Sequence, residues 1–257
     1  MDEIKKFTLK VLRGTPGKQY YEEFEIIREP SLNIISALME IQKNPVNKKG
    51  EQVAPVVWEQ GCLEEVCGSC SMLINGRPRQ ACSAIVDNIL RETKSDTIVL
   101  APFTKFPLVR DLIVDRSIMF DNLKKVRGWI DADGAYAKGP GPKIAPAKQE
   151  IMYSLSTCMT CGCCVESCPQ ANDKSKFVGP QIISQVRYFN DHPTGKGHAG
   201  DRLRAMMEEG GVADCGNAQN CVRVCPKRIP LTESIAAIGR DVNIQWFHDL
   251  FGLDDRQ

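Results

Sequence analysis

Two cysteine-rich runs decide the fold of the second half of the chain: CMTCGCCVESCP at residues 158–169 and CGNAQNCVRVCP at residues 215–226. The first run has the spacing C-x2-C-x2-C-x3-C-P, formed by Cys158, Cys161, Cys164 and Cys168. The second run repeats the frame with three cysteines, which are Cys215, Cys221 and Cys225. Ala218 stands where the missing cysteine of that frame would fall. Thiols at such short, regular intervals indicate metal ligands.

The first spacing is that of bacterial ferredoxins, whose thiolates hold a cubane iron–sulfur cluster. In two-cluster ferredoxins the last cysteine of each run binds the other cluster. This rule assigns four thiolates to a 4Fe–4S cluster: Cys158, Cys161, Cys164 and Cys225. It leaves three thiolates for the other cluster: Cys168, Cys215 and Cys221. Because the methyl group of Ala218 cannot bind iron, we predict a 3Fe–4S cluster at this second position.

A third group of cysteines lies in the first half of the chain and consists of Cys62, Cys67, Cys70 and Cys82. Its C-x4-C-x2-C spacing is typical of plant-type 2Fe–2S proteins. Four thiolates also bind zinc, but the asymmetric loop is unlike a paired zinc knuckle and favours the 2Fe–2S cluster. Small residues in this loop allow its backbone to wrap closely around the sulfurs: Gly61, Gly68 and Ser69.

The fourth cysteine of this group is brought close by a predicted hairpin. Asn75-Gly76 is a strong signal for a two-residue hairpin turn. Counting outward from the turn pairs Cys70 with Ala81. Cys82 therefore lies beside Cys70, within reach of one small cluster.

The elements around these motifs predict an α+β protein with two domains. Alternating strands at 7–12 and 20–27, a helix at 31–42 capped by Ser31, and a closing strand at 97–100 indicate a β-grasp, plant-type ferredoxin domain. Prolines near residue 104 mark a boundary, so we predict a 2Fe–2S domain at 1–104 and a second domain at 105–257.

The second domain is predicted to be all-α and similar to bacterial ferredoxins. Helical spacing covers residues 112–130, 180–190, 201–209 and 230–251, with a break near Asp241. Residues 131–149 are rich in Gly, Pro, Ala and Lys, which indicates a surface excursion or linker. An apolar end of the last helix is expected to be core or a subunit contact: Trp246, Phe247, Leu250 and Phe251.

Composition excludes several classes of function. The 33 basic and 32 acidic residues nearly balance, so nothing indicates nucleic-acid binding. The polar start does not resemble a signal peptide, and the twelve cysteines have ligand spacings, which favours a reducing, cytosolic compartment. We predict no transmembrane segment because no apolar stretch approaches the roughly 18 residues needed.

Other motifs carry no chemistry. Gly195-x-Gly197-x2-Gly200 matches a dinucleotide-binding pattern, but no strand precedes it, and we interpret it as a loop. Cys163 breaks the ligand spacing and is expected to be a small buried residue. No acid–base or nucleophile constellation is present, so the sequence predicts no catalytic residues and indicates an electron carrier.

The order of the three cysteine groups resembles that of the iron–sulfur subunits of succinate dehydrogenase and fumarate reductase. The resemblance covers essentially the whole chain. Segments around the cysteines are similar to the menaquinone-linked bacterial branch: NIISALMEIQKNP (33–45), CLEEVCGSC (62–70), PLVRDLIVD (107–115) and CMTCGCC (158–164).

This resemblance implies a subunit of succinate:quinone oxidoreductase, respiratory complex II. It implies that the chain docks on a flavoprotein that oxidises succinate at FAD and on a cytochrome b membrane anchor that contains haem and a quinone site. Electrons would pass from FAD through the 2Fe–2S, 4Fe–4S and 3Fe–4S clusters to quinone. The chain would be a peripheral protein on the cytoplasmic face of the bacterial cell membrane.

One departure bears on the quinone. Ubiquinone-linked members that resemble this chain carry a Trp shortly after the first Cys-Pro, whereas this chain has Gln170-Ala171-Asn172-Asp173. We therefore expect menaquinone.

Three other functions stay open at this point. A fumarate reductase subunit would use the same clusters in the reverse direction. A free multi-cluster ferredoxin would have no fixed partner, and a zinc-stabilised interaction module would have no redox chemistry.

Overall fold

The structure is a computed structural model that describes residues 5–131 and 142–252. It divides into two compact units. The first comprises Met1–Arg116 and Cys161–Glu166, and the second comprises Ser117–Thr160 and Ser167–Gln257. These units differ from the predicted ranges 1–104 and 105–257, because the first unit continues to Arg116 and takes in a short segment of the first cysteine run. The predicted boundary between the cluster-binding domains stays a prediction.

The first unit is built on a five-stranded mixed sheet with the strand order β2-β1-β5-β3-β4. The strands are β1 (Lys6–Thr15), β2 (Lys18–Ile27), β3 (Ser71–Ile74), β4 (Arg77–Gln80) and β5 (Thr97–Ala101). β1 pairs with β5 in parallel, and the other pairs are antiparallel. Phe7, Leu9 and Val11 on one face of β1 are buried, as the period of two along a strand requires.

Helix α1 (Ile34–Lys43) contributes its apolar face to the core of this unit. Asn33, not Ser31, is the N-cap, and its side chain accepts the backbone N–H of Ser36 at 2.8 Å. Ser31 instead has a φ of 62° and lies before the helix. The prediction that Ser31 caps the helix was therefore wrong, because Asn33 supplies the side-chain oxygen at the residue where helical geometry begins.

The hairpin around residues 75–76 forms with the predicted register. Ile74 pairs with Arg77, and the backbone N–H of Ala81 donates to the Cys70 carbonyl at 3.1 Å. The turn residue Asn75 has a φ of 49°, which is the conformation this turn type requires. A helix that sequence reasoning missed, α2 (Val86–Thr93), follows the hairpin.

The helix predicted at 112–130 is shorter than expected. Residues 108–114 form a second, two-stranded sheet from β6 (Leu108–Arg110) and β7 (Ile113–Val114). Only α3 (Ser117–Lys125) is helical. Leu112 lies in the turn between β6 and β7 and packs in the core of the first unit, and Ile113 and Val114 form β7. The prediction failed here because a short apolar stretch cannot reveal which period applies.

The described part of the second unit is helical. Its α-helices are α3, α4 (Pro146–Ser156), α6 (Pro180–Asp191), α7 (Ala199–Met207), α8 (Asn220–Val224) and α9 (Leu231–Phe251), while α5 (Cys163–Glu166) belongs to the first unit. Its core includes Ile182, Ile183, Val186, Met206 and Ile238, which are all fully buried.

The structure differs from the helical prediction in three details. α9 runs without interruption through Asp241, so the predicted break is absent from this helix. The predicted linker at 131–149 overlaps α4, which begins at Pro146, and residues 132–141 lie outside the described residues. The glycine motif that begins at Gly195 starts with a 3₁₀ helix, Gly195–His198. The element before it is the helix α6, whereas a dinucleotide-binding motif would follow a strand.

Across residues 5–131 and 142–252, no helix combines the length and apolar character needed to cross a bilayer. The predicted fold class, an α+β chain with a β-grasp sheet domain and a helical domain, is confirmed.

Candidate iron–sulfur centres

The loop between Gly61 and Cys70 points several backbone N–H groups at cysteine sulfurs. The N–H groups of Val66 and Cys67 donate to Cys62 Sγ at 3.2 and 3.3 Å. The N–H of Cys62 donates to Cys67 Sγ at 3.3 Å, and that of Glu65 donates to Cys82 Sγ at 3.3 Å. These bonds bring three of the four predicted 2Fe–2S ligands around one loop.

The loop depends on unusual backbone conformations. Leu63, Glu65 and Gly68 have φ values of 62°, 57° and 77°, in the left-handed region. At Gly61 an added Cβ would lie 2.9 Å from Cys67 Sγ and 3.4 Å from Ser69 Oγ. A side chain at residue 61 would therefore occupy the space into which the Cys67 sulfur points.

The surroundings of Cys67 and Cys70 have opposite effects on their thiols. Hydrogen bonds from the backbone N–H of Cys62 and from Ser69 lower the pKa of Cys67 to about 6. Burial raises the pKa of Cys70 to about 12, and its hydrogen bond with the Cys82 side chain acts in the same direction. This contact also places Cys82 beside Cys70, as the hairpin register implies. Thiolates bind iron, so the N–H groups favour the charged form that a cluster needs.

The residues of this loop fit a 2Fe–2S cluster. The donor set is all sulfur, and backbone dipoles point at the sulfurs as in iron–sulfur proteins. In the described part of the chain, no group of three or more His, Cys, Asp or Glu side chains is placed to hold a single metal ion. A 2Fe–2S cluster shares four thiolates between two irons, and so it does not require three ligands on one ion.

Residues 161–166 are fixed in the first unit by a buried carboxylate. Glu166 is 8% exposed. Its Oε1 accepts the backbone N–H and the hydroxyl of Thr104 at 2.9 and 2.7 Å, and its Oε2 accepts the N–H of Lys105 at 3.1 Å. Two of the predicted 4Fe–4S ligands, Cys161 and Cys164, lie in this segment.

Cys163 lies between these two ligands and is completely buried, as predicted. It also makes polar contacts that the sequence did not reveal. Gln80 Nε2 donates to Cys163 Sγ at 3.5 Å and to Ser71 Oγ at 2.8 Å, and Cys70 Sγ donates to Gln80 Oε1 at 3.6 Å. Gln80 therefore connects a predicted 2Fe–2S ligand with the residue between two predicted 4Fe–4S ligands.

A hydrogen bond joins Cys163 to Cys161. It lowers the pKa of Cys161 to about 7, and the Arg116 guanidinium contributes in the same direction. The same bond, together with burial, raises the pKa of Cys163. Cys161 therefore takes the thiolate form more readily than Cys163.

Arg116 contacts both ligand segments of the first unit. Its guanidinium donates to the carbonyls of Gly68 and Ser69 at 2.8 and 3.3 Å and to the Cys161 carbonyl at 3.4 Å. It also pairs with Glu59 at 2.8 Å. Sequence reasoning did not find this role, because the partners are 45 to 57 residues away in the chain.

In the second unit the three predicted 3Fe–4S ligands lie near one another. Burial raises the pKa of Cys221, and Cys168 and Cys215 are close enough to raise it further by electrostatic interaction. Cys168 is buried in the hydrophobic core of this unit, and Cys215 packs against that core.

Ala218 lies in the loop between Cys215 and α8. Its neighbours Asn217 and Gln219 have φ values of 50° and 59°, so the loop turns sharply at this position. Asn220, the first residue of α8, donates through its side-chain amide to the Ser167 carbonyl at 3.0 Å. This bond fixes the start of α8 next to the residue that precedes Cys168.

Cys158 and Cys225, the other predicted 4Fe–4S ligands, belong to the second unit. Cys158 follows α4, and its N–H donates to the Leu155 carbonyl at 3.3 Å. Cys225 Sγ accepts the N–H of Ile229 at 3.4 Å, so this sulfur has the same kind of backbone donor as those of the loop at 61–70.

Comparisons with known proteins identify two cluster-binding families and a similar fold. The family described as "2Fe-2S iron-sulfur cluster binding domain" matches residues 8–121, and the family described as "4Fe-4S dicluster domain" matches residues 154–229. In the structure titled "Mycobacterium smegmatis Sdh1 complex in the apo form", one chain has a TM-score of 0.80 at 21% identity, over 95% of this chain and 98% of that one. At this identity the likeness concerns the fold.

Sequence relatives identify the family. The chain is 59% identical to the succinate dehydrogenase iron-sulfur subunit of Bacillus subtilis, over 91% of both chains. It is 29% identical to the fumarate reductase iron-sulfur subunit of Wolinella succinogenes, over 91% of this chain and 95% of the relative. The much higher identity to the first favours succinate dehydrogenase. The chain belongs to the family of succinate dehydrogenase iron–sulfur subunits, and its part in that oxidoreductase is electron transfer.

Proposed function

We propose that the chain holds three clusters with the ligand sets inferred from its cysteine spacing. The sets are Cys62, Cys67, Cys70 and Cys82 for 2Fe–2S; Cys158, Cys161, Cys164 and Cys225 for 4Fe–4S; and Cys168, Cys215 and Cys221 for 3Fe–4S. The observation that carries the third assignment is the proximity of the Cys168, Cys215 and Cys221 thiols, together with Ala218 at the fourth ligand position of the second run.

When bound, the clusters supply one-electron carriers between a two-electron flavin and a quinone. The residues of the chain hold them and adjust their potentials. Backbone N–H groups at Glu65, Val66 and Cys67 donate to ligand sulfurs, and such bonds stabilise the additional negative charge of a reduced cluster. Burial of Cys70 and Cys221 excludes water from part of each site.

We propose that the partners are a flavoprotein with FAD and a cytochrome b membrane anchor with haem. The end of α9 supports a subunit contact in the second unit. Its apolar side chains are 51–67% exposed: Trp246, Phe247, Leu250 and Phe251. The rings of Phe247 and Phe251 stack with centroids 6.5 Å apart. Exposure rules out the core alternative, and a contiguous apolar patch of this kind marks an interaction surface.

The proposed anchor would hold the chain at the cytoplasmic face of the cell membrane, with menaquinone as the acceptor. The absence of Trp from residues 170–173 supports menaquinone over ubiquinone. An added Cβ at Gly216 would lie 2.5 Å from the Gln170 Nε2 atom, so Gln170 packs beside the backbone next to Cys215. A polar amide therefore lies near a proposed ligand of the third cluster.

Co-purification of the tagged chain from membranes tests the partners. We expect a FAD protein and a haem protein to accompany the wild type. The double substitution Phe247→Ser and Leu250→Ser should release the chain from the haem protein. Val109→Ser, which removes an apolar side chain that is 52% exposed in the first unit, should leave that attachment intact. Retention of the haem protein by the double variant would contradict the assigned surface.

A fumarate reductase subunit is the second candidate, supported by the 29% identity to the Wolinella succinogenes protein. The two functions differ in net direction. Purified complex should reduce a menaquinone analogue with succinate faster than it oxidises the corresponding quinol with fumarate. The reverse ratio would favour fumarate reductase.

A further inference from the structure

Arg116 connects the two ligand segments of the first unit and carries a permanent charge. Its side chain is 17% exposed. One guanidinium nitrogen donates to the carbonyls of Gly68 and Cys161, and the other donates to Ser69. Gly68 and Ser69 lie between the proposed ligands Cys67 and Cys70, whereas Cys161 is a proposed ligand of the second cluster.

The negative partner of Arg116 is more accessible than Arg116 itself. Glu59 Oε2 lies 2.8 Å from the guanidinium, and its side chain is 42% exposed. Solvent screens such a carboxylate more effectively than it screens the buried guanidinium. Positive charge therefore prevails near the carbonyls of Gly68 and Cys161.

Reduction adds one negative charge to an iron–sulfur cluster, and a nearby cation stabilises the reduced form. Net charge and hydrogen bonding are among the properties that set cluster potentials. An arginine keeps its charge at any pH at which the protein is folded. The same side chain can therefore act on both clusters at once.

We infer that Arg116 is a positioning residue shared by the first two electron carriers, which fixes the loop of Gly68 and Ser69 to Cys161 and raises the reduction potentials of both clusters. The inference rests on the proposed ligand sets. It goes beyond them because Arg116 is not a ligand. We also infer that the negative charge of Glu59 lowers the reduction potentials of both clusters.

Redox-titrated EPR of the intact complex tests this role with three variants. Arg116→Gln removes the positive charge and should lower the potentials of the 2Fe–2S and 4Fe–4S clusters. Glu59→Gln removes the negative charge and should raise both. Arg116→Lys keeps the positive charge, so the potentials of both clusters should stay nearer to the wild-type values. The 3Fe–4S cluster is the internal reference, because the carbonyls that Arg116 contacts, those of Gly68, Ser69 and Cys161, do not belong to its proposed ligands.

We expect the ratio of reduced to oxidised cluster at a fixed potential to change by a factor of about three or more. This corresponds to about 28 mV, because a tenfold change is 59 mV for one electron. A purely structural contact would not give shifts of opposite sign in Arg116→Gln and Glu59→Gln. If Arg116→Gln fails to assemble, the rise expected in Glu59→Gln still tests the inference.

Two outcomes would overturn the inference: unchanged potentials in both neutral variants, or shifts in the same direction. Failure of the proposed function has a different signature. In that case the wild-type complex itself would lack the signals of the first two clusters.

Discussion

Glu166 and Thr104, which are 62 residues apart in the sequence, form a two-point contact: one carboxylate oxygen accepts both the backbone N–H and the hydroxyl of Thr104. The other oxygen accepts the N–H of Lys105. Through this contact a residue of the first cysteine run holds the chain at the predicted domain boundary. The segment that carries Cys161 and Cys164 is thereby fixed in the first unit.

Glu166→Gln should destabilise the protein by about 1–3 kcal/mol, because an amide nitrogen replaces one buried acceptor and leaves a donor facing a donor. Cys161 and Cys164 should then be held less firmly. We expect a lower unfolding midpoint in urea and a weaker 4Fe–4S EPR signal per chain. Glu40→Gln is the matched control, since Glu40 is 53% exposed in a surface pair with Lys43 and should change stability by less than about 0.5 kcal/mol. Equal effects of the two substitutions would argue against the contact.

Gly61→Ala should impair the 2Fe–2S site, because the new Cβ would lie 2.9 Å from Cys67 Sγ and the sulfur would have to move. The expected result is loss of the 2Fe–2S EPR signal, while the other clusters keep theirs. Gly197→Ala is the control, since no heavy atom lies within 4 Å of the added Cβ. Full 2Fe–2S occupancy in Gly61→Ala would show that the loop does not need the space at residue 61.

Ala218→Cys should supply the missing thiolate of the second run. The third site would then hold a fourth iron, and its potential should fall because the cluster type changes from 3Fe–4S to 4Fe–4S. EPR of the oxidised variant should show a diminished 3Fe–4S signal, and iron per chain should rise by about one. Ala218→Ser is the control, because a serine side chain has nearly the same size as a cysteine side chain but lacks the thiol. An undiminished signal in Ala218→Cys would count against the assignment.

Removal of the clusters should loosen the loop at 61–70 far more than the sheet. The N–H groups of Val66 and Cys67 have a ligand sulfur as their acceptor. Leu9 and Ile98 instead lie in paired strands and are fully buried. Hydrogen exchange of chelator-treated protein should show protection reduced about tenfold or more in the loop and retained in β1 and β5. Equal loss in both regions would mean that the sheet also depends on the clusters.

Local signals predicted the parts of the fold that short-range rules govern. The two-residue turn at 75–76 set the register of β3 and β4 and thus the position of Cys82 beside Cys70. Turn type alone fixes such a register. The periodicity of residues 112–130, in contrast, was misleading at its start, because Leu112 packs in the core of the first unit from the turn between β6 and β7.

In the candidate site, too, local patterns predicted some residues and distant contacts determined others. Cysteine spacing was sufficient to propose every ligand, because the cysteines that bind one cluster recur at short, regular intervals in the sequence. The roles of three residues that contact the ligand segments were missed: Gln80, Arg116 and Glu166. Each acts on partners that are distant in the chain, and a single sequence contains no sign that a glutamine or an arginine will face a cluster.

The measurement that tests the central claim most directly is redox-titrated EPR of the purified complex combined with iron and acid-labile sulfide analysis. We expect three distinct signals and about nine iron atoms per chain, two, four and three from the respective clusters. Iron sufficient for a single cluster, or zinc in place of iron, would contradict it.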